Sequence, residues 1–189
     1  MGIAERKARE RVDREQRIIA AARMIAELEG WSAVTIRRLA DEVEHSQPVL
    51  YSHFENRDGI VAAVAVEGFR ELTSALLKAA DGSSGIDATR NVAVAYMDFA
   101  AHHPTLYEAM FTMPSSLRFA SPDTKPELKA AFAALRAVVS PLDDDDGAAT
   151  ETVWAALHGM AELERSGRIR NSSRDERVSL VVNALVRAG

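Results

Sequence analysis

The stretch TIRRLADEVEHSQPVLYSHFENR, which runs from Thr35 to Arg57, decides the fold of this chain. It predicts two short helices that are joined by a tight turn. In the first half, apolar side chains recur at helical spacing and would form one buried face, which comprises Ile36, Leu39, Ala40 and Val43. The second helix is expected to begin at Ser46, because serine is a favourable N-cap. Pro48 falls in the first turn, where proline is tolerated.

The second of these helices has an apolar inner side and a polar outer side. Leu50 and Phe54 are four residues apart and are expected to pack inward together. The side chains that point elsewhere offer amide, methyl, phenol, hydroxyl and imidazole groups, and they are Gln47, Val49, Tyr51, Ser52 and His53. A short helix with such groups on its outer face is suited to reading a groove of DNA.

This stretch resembles the helix-turn-helix of the tetracycline-repressor-like (TetR/AcrR) family of transcriptional regulators. The matching positions are Thr35, Arg37-Arg38, Leu39-Ala40, Ser46, Leu50-Tyr51-Ser52-His53-Phe54 and Arg57. The preceding helix is also similar to the family pattern, at Ile18, Ile19, Ala21, Ala22 and Gly30. Together these matches cover roughly residues 17–60.

The resemblance implies a homodimeric regulator of transcription, usually a repressor, whose recognition helices enter successive major grooves of a near-palindromic operator. We expect Gln47 to contact adenine and Val49 to touch a thymine methyl group. Phosphates, which fix register without reading sequence, are expected to be held by Thr35, Tyr51, His53 and Arg57. The full set of expected DNA-binding residues is Thr35, Arg37, Ser46, Gln47, Pro48, Val49, Tyr51, Ser52, His53 and Arg57.

The turn between the two helices departs from the family pattern. Glu44 and His45 stand where the family usually has glycine and a small aliphatic residue. Glycine is favoured there because it adopts a positive φ without a steric penalty. Glu44 therefore predicts either a strained turn or a slightly different one.

Composition limits the classes of protein that the chain can represent. The 189 residues include no cysteine, which excludes disulfides and thiolate chemistry. The net charge is −5, and residues 1–60 hold ten basic against eleven acidic side chains, so phosphate attraction must come from charge placement. The longest charge-free stretch, 152–161, is too short to cross a bilayer, and the N-terminus is charged. We therefore expect a cytoplasmic protein.

The pattern along the whole chain predicts an all-α protein with two domains. Residues 1–56 would form a three-helix DNA-binding domain, in which residues 1–14 are either a frayed tail or a flexible basic arm beside the DNA. Residues 57–189 would form a larger helical domain for effector binding and dimerisation. Helices are expected at residues 15–29, 59–80, 86–102, 104–113, 126–139, 147–166 and 174–188.

The last two predicted helices are apolar around much of their circumference. In the final helix the apolar residues are Val178, Leu180, Val181, Val182, Leu185 and Val186. Such a helix must be buried on two sides, one against its own domain and one against a partner. Gly159, inside the preceding helix, suggests close packing there. We expect a homodimer through helices 147–166 and 174–188, which would form a four-helix bundle across a twofold axis.

Aromatic side chains surround the proline-broken helices of the larger domain and predict a mostly apolar effector pocket for a small molecule. The candidate lining residues are Tyr96, Phe99, Phe111, Phe119, Trp154 and His158, with Tyr96 and His158 as polar anchors. Taken singly, each of these residue types is more often part of a core. Trp154 and His158-Gly159 are also similar to a Trp-His-Gly signature in one C-terminal subclass of the same family.

Motifs for catalysis and for metal binding are missing from the sequence. There is no Gly-x-Ser-x-Gly, no glycine-rich phosphate loop and no His-x-x-x-His spacing, so we expect no catalytic residue, no metal and no cofactor. The acidic run 143–146 is interpreted as a solvated cap rather than a calcium loop. The alternative hypothesis is a helical enzyme or ligand-binding protein whose N-terminal head is only structural.

Overall fold

The computed structural model describes residues 2–139 and 147–188. Within these ranges all regular structure is helical, as the sequence predicts. The α-helices are α1 (Ile3–Glu29), α2 (Ile36–Glu42), α3 (Gln47–Tyr51), α4 (Arg57–Ala80), α5 (Gly85–His102), α6 (Pro104–Phe111), α7 (Pro126–Val139), α8 (Ala148–Arg165) and α9 (Arg174–Ala188). Short 3₁₀ turns at Trp31–Ala33 and Asn171–Ser173 precede α2 and α9.

The described residues form two compact units. The first comprises the residues up to Gly68 together with Thr105–Leu117, and it contains the helix-turn-helix. The second comprises Phe69–Pro104 and the residues from Arg118 onward. α4 therefore contributes residues to both units. The domain limit between residues 56 and 57, at the start of α4, stays a prediction.

α1 begins at Ile3 rather than near residue 15. The expectation of a flexible arm at residues 1–14 is therefore corrected for residues 3–14, which are helical. This segment is rich in Ala, Arg and Glu, which favour helix, and it contains neither glycine nor proline. The backbone N–H of Gly2 donates to the Glu5 carboxylate at 2.9 Å, and this hydrogen bond stabilises the first turn of α1.

The core of the first unit forms where α1 meets the first 3₁₀ turn and α2. Its buried side chains include Ile18, Ala22, Ile25, Trp31, Val34, Leu39 and Leu50. Trp31 is further anchored because its indole N–H donates to the carbonyl oxygen of Thr105 at 2.9 Å. These contacts fix α1 and α2 relative to each other, and the position of α3 depends on both.

The turn between α2 and α3 contains a residue in the left-handed conformation, although this residue is a glutamate and not a glycine. Glu44 has a φ of 54°. The backbone N–H of His45 donates to the Ala40 carbonyl oxygen at 2.9 Å, and that of Glu44 donates to Asp41. This is the Schellman pattern for a helix C-terminus, in which a left-handed residue is usually glycine. The first alternative from the sequence, a strained turn, is therefore the one that the structure adopts.

α4 and α6 approach each other closely inside the first unit. Gly68 is buried, and a Cβ atom at this position would lie 2.6 Å from Sδ of Met110 and 3.0 Å from Cδ1 of Leu106. Glycine thus allows the α4 backbone to reach the side chains of α6.

α5 is the central helix of the second unit and packs against α7, α8 and α9. The buried side chains in these helices include Val92, Met97, Leu128, Leu135, Val153, Leu157, Val178 and Val182. Two polar contacts add to this packing. The hydroxyl of Thr89, on α5, donates to the Val138 carbonyl oxygen of α7 at 2.8 Å, and Arg90 donates to the Ser179 hydroxyl of α9 at 2.7 Å.

α8 and α9 occupy nearly the ranges that the sequence predicts, but Gly159 does not mark close packing within the chain. A Cβ atom built on Gly159 meets no atom within 4 Å. Leu163 and Leu180 are 40% and 65% exposed. The two helices therefore keep apolar surface outside the core of their own unit. The acidic run 143–146, interpreted above as a cap, lies outside the described residues.

Replacing Glu44 should change stability in opposite directions for two substitutions. A left-handed conformation costs an L-residue roughly 1–2 kcal/mol, which glycine avoids, although the freer unfolded chain offsets about 0.4–1 kcal/mol of that gain. We expect Glu44→Gly to raise the free energy of unfolding by up to about 1 kcal/mol. Glu44→Val should lower it, since β-branched residues fit this region poorly. Urea denaturation measures both, and a shift in the same direction would contradict the turn geometry.

Candidate nucleic-acid interface and effector site

α3 is anchored by one face and exposed on the other. Leu50 is fully buried, and Phe54, just beyond the helix, is 7% exposed. Gln47, Pro48 and Tyr51 lie in solvent, with Tyr51 53% exposed. Positions 47, 48 and 51 are neighbours on a helix surface, so the amide and the phenol share one accessible face.

Other predicted DNA-binding residues lie at the N-termini of α2 and α3. Arg37 is exposed in the first turn of α2, and the Thr35 hydroxyl caps that helix by accepting a hydrogen bond from the Arg38 N–H at 3.1 Å. Ser46 is the N-cap of α3 but makes no side-chain capping bond.

The remaining polar group of α3 is used within the helix. Ser52 is exposed, but its hydroxyl donates to the Val49 carbonyl oxygen at 2.6 Å. Val49 itself is half-buried. The half-buried methyl groups of Val49 are therefore less accessible than the neighbouring amide of Gln47.

The guanidinium of Arg57 is bound within the first unit. It donates to the carbonyl oxygens of Val34 at 2.8 Å and Trp31 at 2.6 Å. Both carbonyls belong to the segment that leads into α2. Arg57 thus fastens the start of α4 to this segment, and the structure gives it a structural role in place of the expected phosphate contact.

The side chain of His53 is only 2% exposed, with its Nδ1 atom 3.9 Å from the Glu15 carboxylate of α1. Burial, followed by the charges of Arg11 and Arg14, lowers the pKa of His53 below its ordinary value of 6.5, while Glu15 acts in the opposite direction. The expectation that this imidazole holds a phosphate is corrected, because the ring is buried beside α1 rather than facing solvent.

Two further side chains of α1 reach the segment around α3. Arg11 donates to the Ser52 carbonyl oxygen at 3.2 Å, and Arg17 lies 2.8 Å from Nε2 of His45. Neither contact was predicted from the sequence, where Arg11 falls in the expected arm and Arg17 in the expected helix 15–29. No pattern in the sequence indicates which basic side chain meets which acceptor; only the register of α1 against the turn decides that.

In the second unit, three of the six predicted effector residues form one aromatic cluster. The indole N–H of Trp154 donates to the Tyr96 hydroxyl at 3.2 Å. The rings of Trp154 and Phe119 stack with centroids 6.4 Å apart and an interplanar angle of 28°. Phe69, which the sequence analysis did not select, lies edge-on to Phe119 with centroids 5.8 Å apart. Tyr96 is 2% exposed and Phe119 40%, so the cluster extends from the core to the surface.

The structure does not bring all six predicted effector residues together. Phe111 belongs to the first unit, where its ring centroid lies 4.7 Å from that of Tyr107. Phe99 is buried against His103, with ring centroids 5.0 Å apart. His158 follows Trp154 by one turn of α8, and burial lowers its pKa below 6.5 while Glu162 opposes that shift.

A cleft of about 230 Å³ also lies in the second unit, and none of the six candidates lines it. The lining residues are Met97, Ala100, Ala101, Pro104, Ala161, Glu164, Arg165, Asn171 and Arg174. The Glu164 side chain, 4% exposed, accepts hydrogen bonds from Arg174 and Arg177. This buried carboxylate ties α8 to α9, so the polar groups at the edge of the cleft already serve the fold.

Across residues 2–139 and 147–188, no group of three or more metal-ligating side chains is arranged to hold an ion. Among the described helices, none combines the length and the apolar character needed to cross a bilayer.

Two family models match the chain. Residues 18–64 match the model of bacterial regulatory proteins of the tetR family, and residues 89–186 match the tetracyclin repressor-like C-terminal domain. The first match contains α2, the turn and α3, and the second contains the aromatic residues Tyr96, Phe119 and Trp154.

Individual proteins agree with these matches. The chain is 32% identical over 154 residues to an uncharacterised HTH-type transcriptional regulator of Mycobacterium tuberculosis, across 79% of this chain and 69% of the relative. A solved structure of a Rhodococcus sp. RHA1 protein of unknown function has a TM-score of 0.69 at 24% identity, covering 93% and 94% of the two chains. The transcriptional regulator FadR of Bacillus subtilis, solved with stearoyl-CoA, has a TM-score of 0.65 at 12% identity, covering 90% and 97%. These two structures share the fold.

His53 should make the first unit less stable in acid. Because its pKa in the folded chain lies below 6.5, the unfolded chain takes up the proton first as the pH falls. The contribution of His53 to stability is complete above pH 6.5 and is lost progressively as the pH falls below that value. His53→Gln should flatten the dependence of the unfolding free energy on pH below about pH 6.5, measured by urea denaturation. His158 shifts in the same direction, so the difference between wild type and variant is the readout. Equal slopes would contradict the buried position of His53.

Proposed function

This chain belongs to the tetR family of bacterial regulatory proteins, and we propose that it is a repressor that binds palindromic operators and is released from them by a small apolar molecule. It is a ligand-responsive, DNA-binding transcriptional regulator rather than an enzyme. The observation that carries the DNA-binding part is the exposed face of α3, where Gln47 and Tyr51 stand over the buried anchor Leu50.

In this proposal Gln47 is the main residue that reads bases. Its exposed amide can donate and accept at the same time, which matches the N6 and N7 atoms of adenine in the major groove. Val49 is less accessible and contributes at most a methyl contact to thymine. The positioning contacts to phosphate come from Arg37 and Tyr51, with the exposed hydroxyl of Ser46 beside them.

The small net charge of the helix-turn-helix region, residues 1–60, favours binding to DNA as a dimer. Residues 1–60 have more acidic than basic side chains, so one such region gains little from general attraction to phosphate. Two regions held at a fixed spacing bind as one, because the second contact becomes intramolecular. A twofold dimer places its recognition helices about 34 Å apart, and its operator is therefore an inverted repeat.

The proposed dimer forms through α8 and α9. Leu163 and Leu180 present apolar side chains on these helices, and Gly159 leaves room for another backbone to approach. Val178 and Val182 face the core of the unit, so Leu180 lies on a different side of α9. A helix with buried and exposed apolar sides meets the requirement for packing on two partners.

The proposed effector site is the aromatic cluster of Tyr96, Phe119, Trp154 and Phe69. Stacked rings that extend from the core to the surface favour an apolar or aromatic ligand, with the Tyr96–Trp154 hydrogen bond as the polar feature. Such a ligand represses DNA binding if it prefers a conformation with lower operator affinity, which is a coupling of two sites. We place the protein in the cytoplasm, because its proposed partner, the bacterial chromosome, lies there.

One variant in α3 and one in α2 should distinguish contacts to bases from contacts to phosphates. The test duplex is one that wild-type protein retains from a random-sequence pool. Gln47→Ala should weaken binding to it by about 1–3 kcal/mol while leaving an unrelated duplex unaffected. Arg37→Ala should weaken both and reduce the slope of log K against log salt by about 0.9. Fluorescence anisotropy at several salt concentrations measures these quantities. Full affinity of Gln47→Ala for the retained duplex would overturn its assigned role.

The dimer surface is tested by a charge on its exposed part. Leu180→Asp should shift sedimentation from dimer to monomer, because burying an unpaired carboxylate costs several kcal/mol. Leu77→Asp, at a residue of α4 that is 55% exposed, is the matched control and should stay dimeric. A dimer in both variants would exclude α9 as the interface.

A further inference from the structure

α3 is too short to hold its own shape. It contains five residues, whereas isolated helices shorter than about 12–15 residues are marginal in water. Its orientation must therefore come from contacts at its flanks. The burial of Leu50 and Phe54 holds the inner side of the helix, and polar contacts hold its two ends.

The C-terminal end of α3 is held by Arg11. Ser52 is the C-cap of the helix, and its carbonyl oxygen accepts the hydrogen bond from the Arg11 guanidinium at 3.2 Å. A carbonyl in the last turn lacks a partner inside its own helix, so this contact satisfies an otherwise open acceptor. The positive charge is also favourable at the negative end of a helix.

The N-terminal side of α3 is held by Arg17. Its guanidinium lies 2.8 Å from Nε2 of His45, the residue that closes the turn before Ser46. Because arginine only donates, Nε2 of His45 is the acceptor in this contact. The contact therefore fixes the ring of the residue that leads into α3.

Arg11, Glu15 and Arg17 come from one short part of α1, and they meet both flanks of α3. Glu15 lies between them, with its carboxylate 3.9 Å from the buried imidazole of His53. Arg11 and Glu15 are four residues apart and so share one face of α1. The part of α1 that was expected to be a flexible arm thus supplies one end of this arrangement.

We propose that Arg11 and Arg17 are positioning residues for DNA recognition, which hold α3 at its two ends so that Gln47 and Tyr51 meet the groove in one orientation. This inference rests on the DNA-binding function proposed above. Neither residue contacts a base in this account. Each acts through the segment that it holds, and a direct phosphate contact from the same guanidinium groups is the competing outcome.

The first test uses the free protein and needs no DNA. Amide hydrogen exchange is followed at His53 and Phe54, whose N–H groups donate to the Leu50 carbonyl oxygen. Arg11→Ala and Arg17→Ala should each speed exchange in the segment 47–54 by about fivefold, the change expected when one hydrogen bond is lost. Arg9→Ala removes the same charge from an exposed position of α1 and should leave exchange unchanged. Equal exchange in all three variants would overturn the proposal.

The second test measures binding to the duplex that wild-type protein retains from the random pool, and to an unrelated duplex of equal length. Relative to Arg9→Ala, the variants Arg11→Ala and Arg17→Ala should each bind the retained duplex with about tenfold lower affinity. The slope of log K against log salt and the affinity for the unrelated duplex should stay unchanged. Equal losses on both duplexes, with a slope smaller by about 0.9, would show phosphate contacts instead and overturn the proposal. If wild-type protein retains no duplex, the proposed function fails, and the exchange result alone decides whether α1 positions α3.

Discussion

A helix of five residues such as α3 cannot be stable by its own hydrogen bonds, and the first unit holds it by packing and polar contacts. Leu50 and Phe54 are buried under it, and the turn at Glu44 sets the direction in which it leaves α2. α1 adds polar contacts at both flanks. In the proposed contact with DNA, the exposed amide and phenol of α3 point in one direction because these neighbours hold the helix.

The local part of this arrangement could be predicted from the sequence. Apolar spacing gave the helices and their inner faces, and the residue types at Thr35 and Ser46 indicated where α2 and α3 begin. The orientation of single polar side chains could not be predicted. His53 and Arg57 match the family pattern, yet the first is buried beside α1 and the second binds carbonyl oxygens. A pattern specifies residue types, whereas tertiary packing decides whether a side chain faces the ligand or the core.

In the second unit, too, the sequence predicts the helices but not which side chains lie together. Its helix bounds agree closely with the predicted ones because they depend on local periodicity and on Pro and Gly residues. The effector residues were selected by type, and the structure separates them: Tyr96, Phe119 and Trp154 meet, while Phe111 belongs to the other unit. Phe69 joins the cluster from α4, and no sequence signal distinguishes it from the other apolar residues of that helix.

We propose that two copies of α3 read an inverted repeat. The most direct measurement is to sequence the DNA that the wild-type protein retains from a random duplex library. We expect an inverted repeat whose half-site centres lie about 10–10.5 base pairs apart, or a multiple of that distance. A retained pool that remains random, or a single half-site without its repeat, would contradict it.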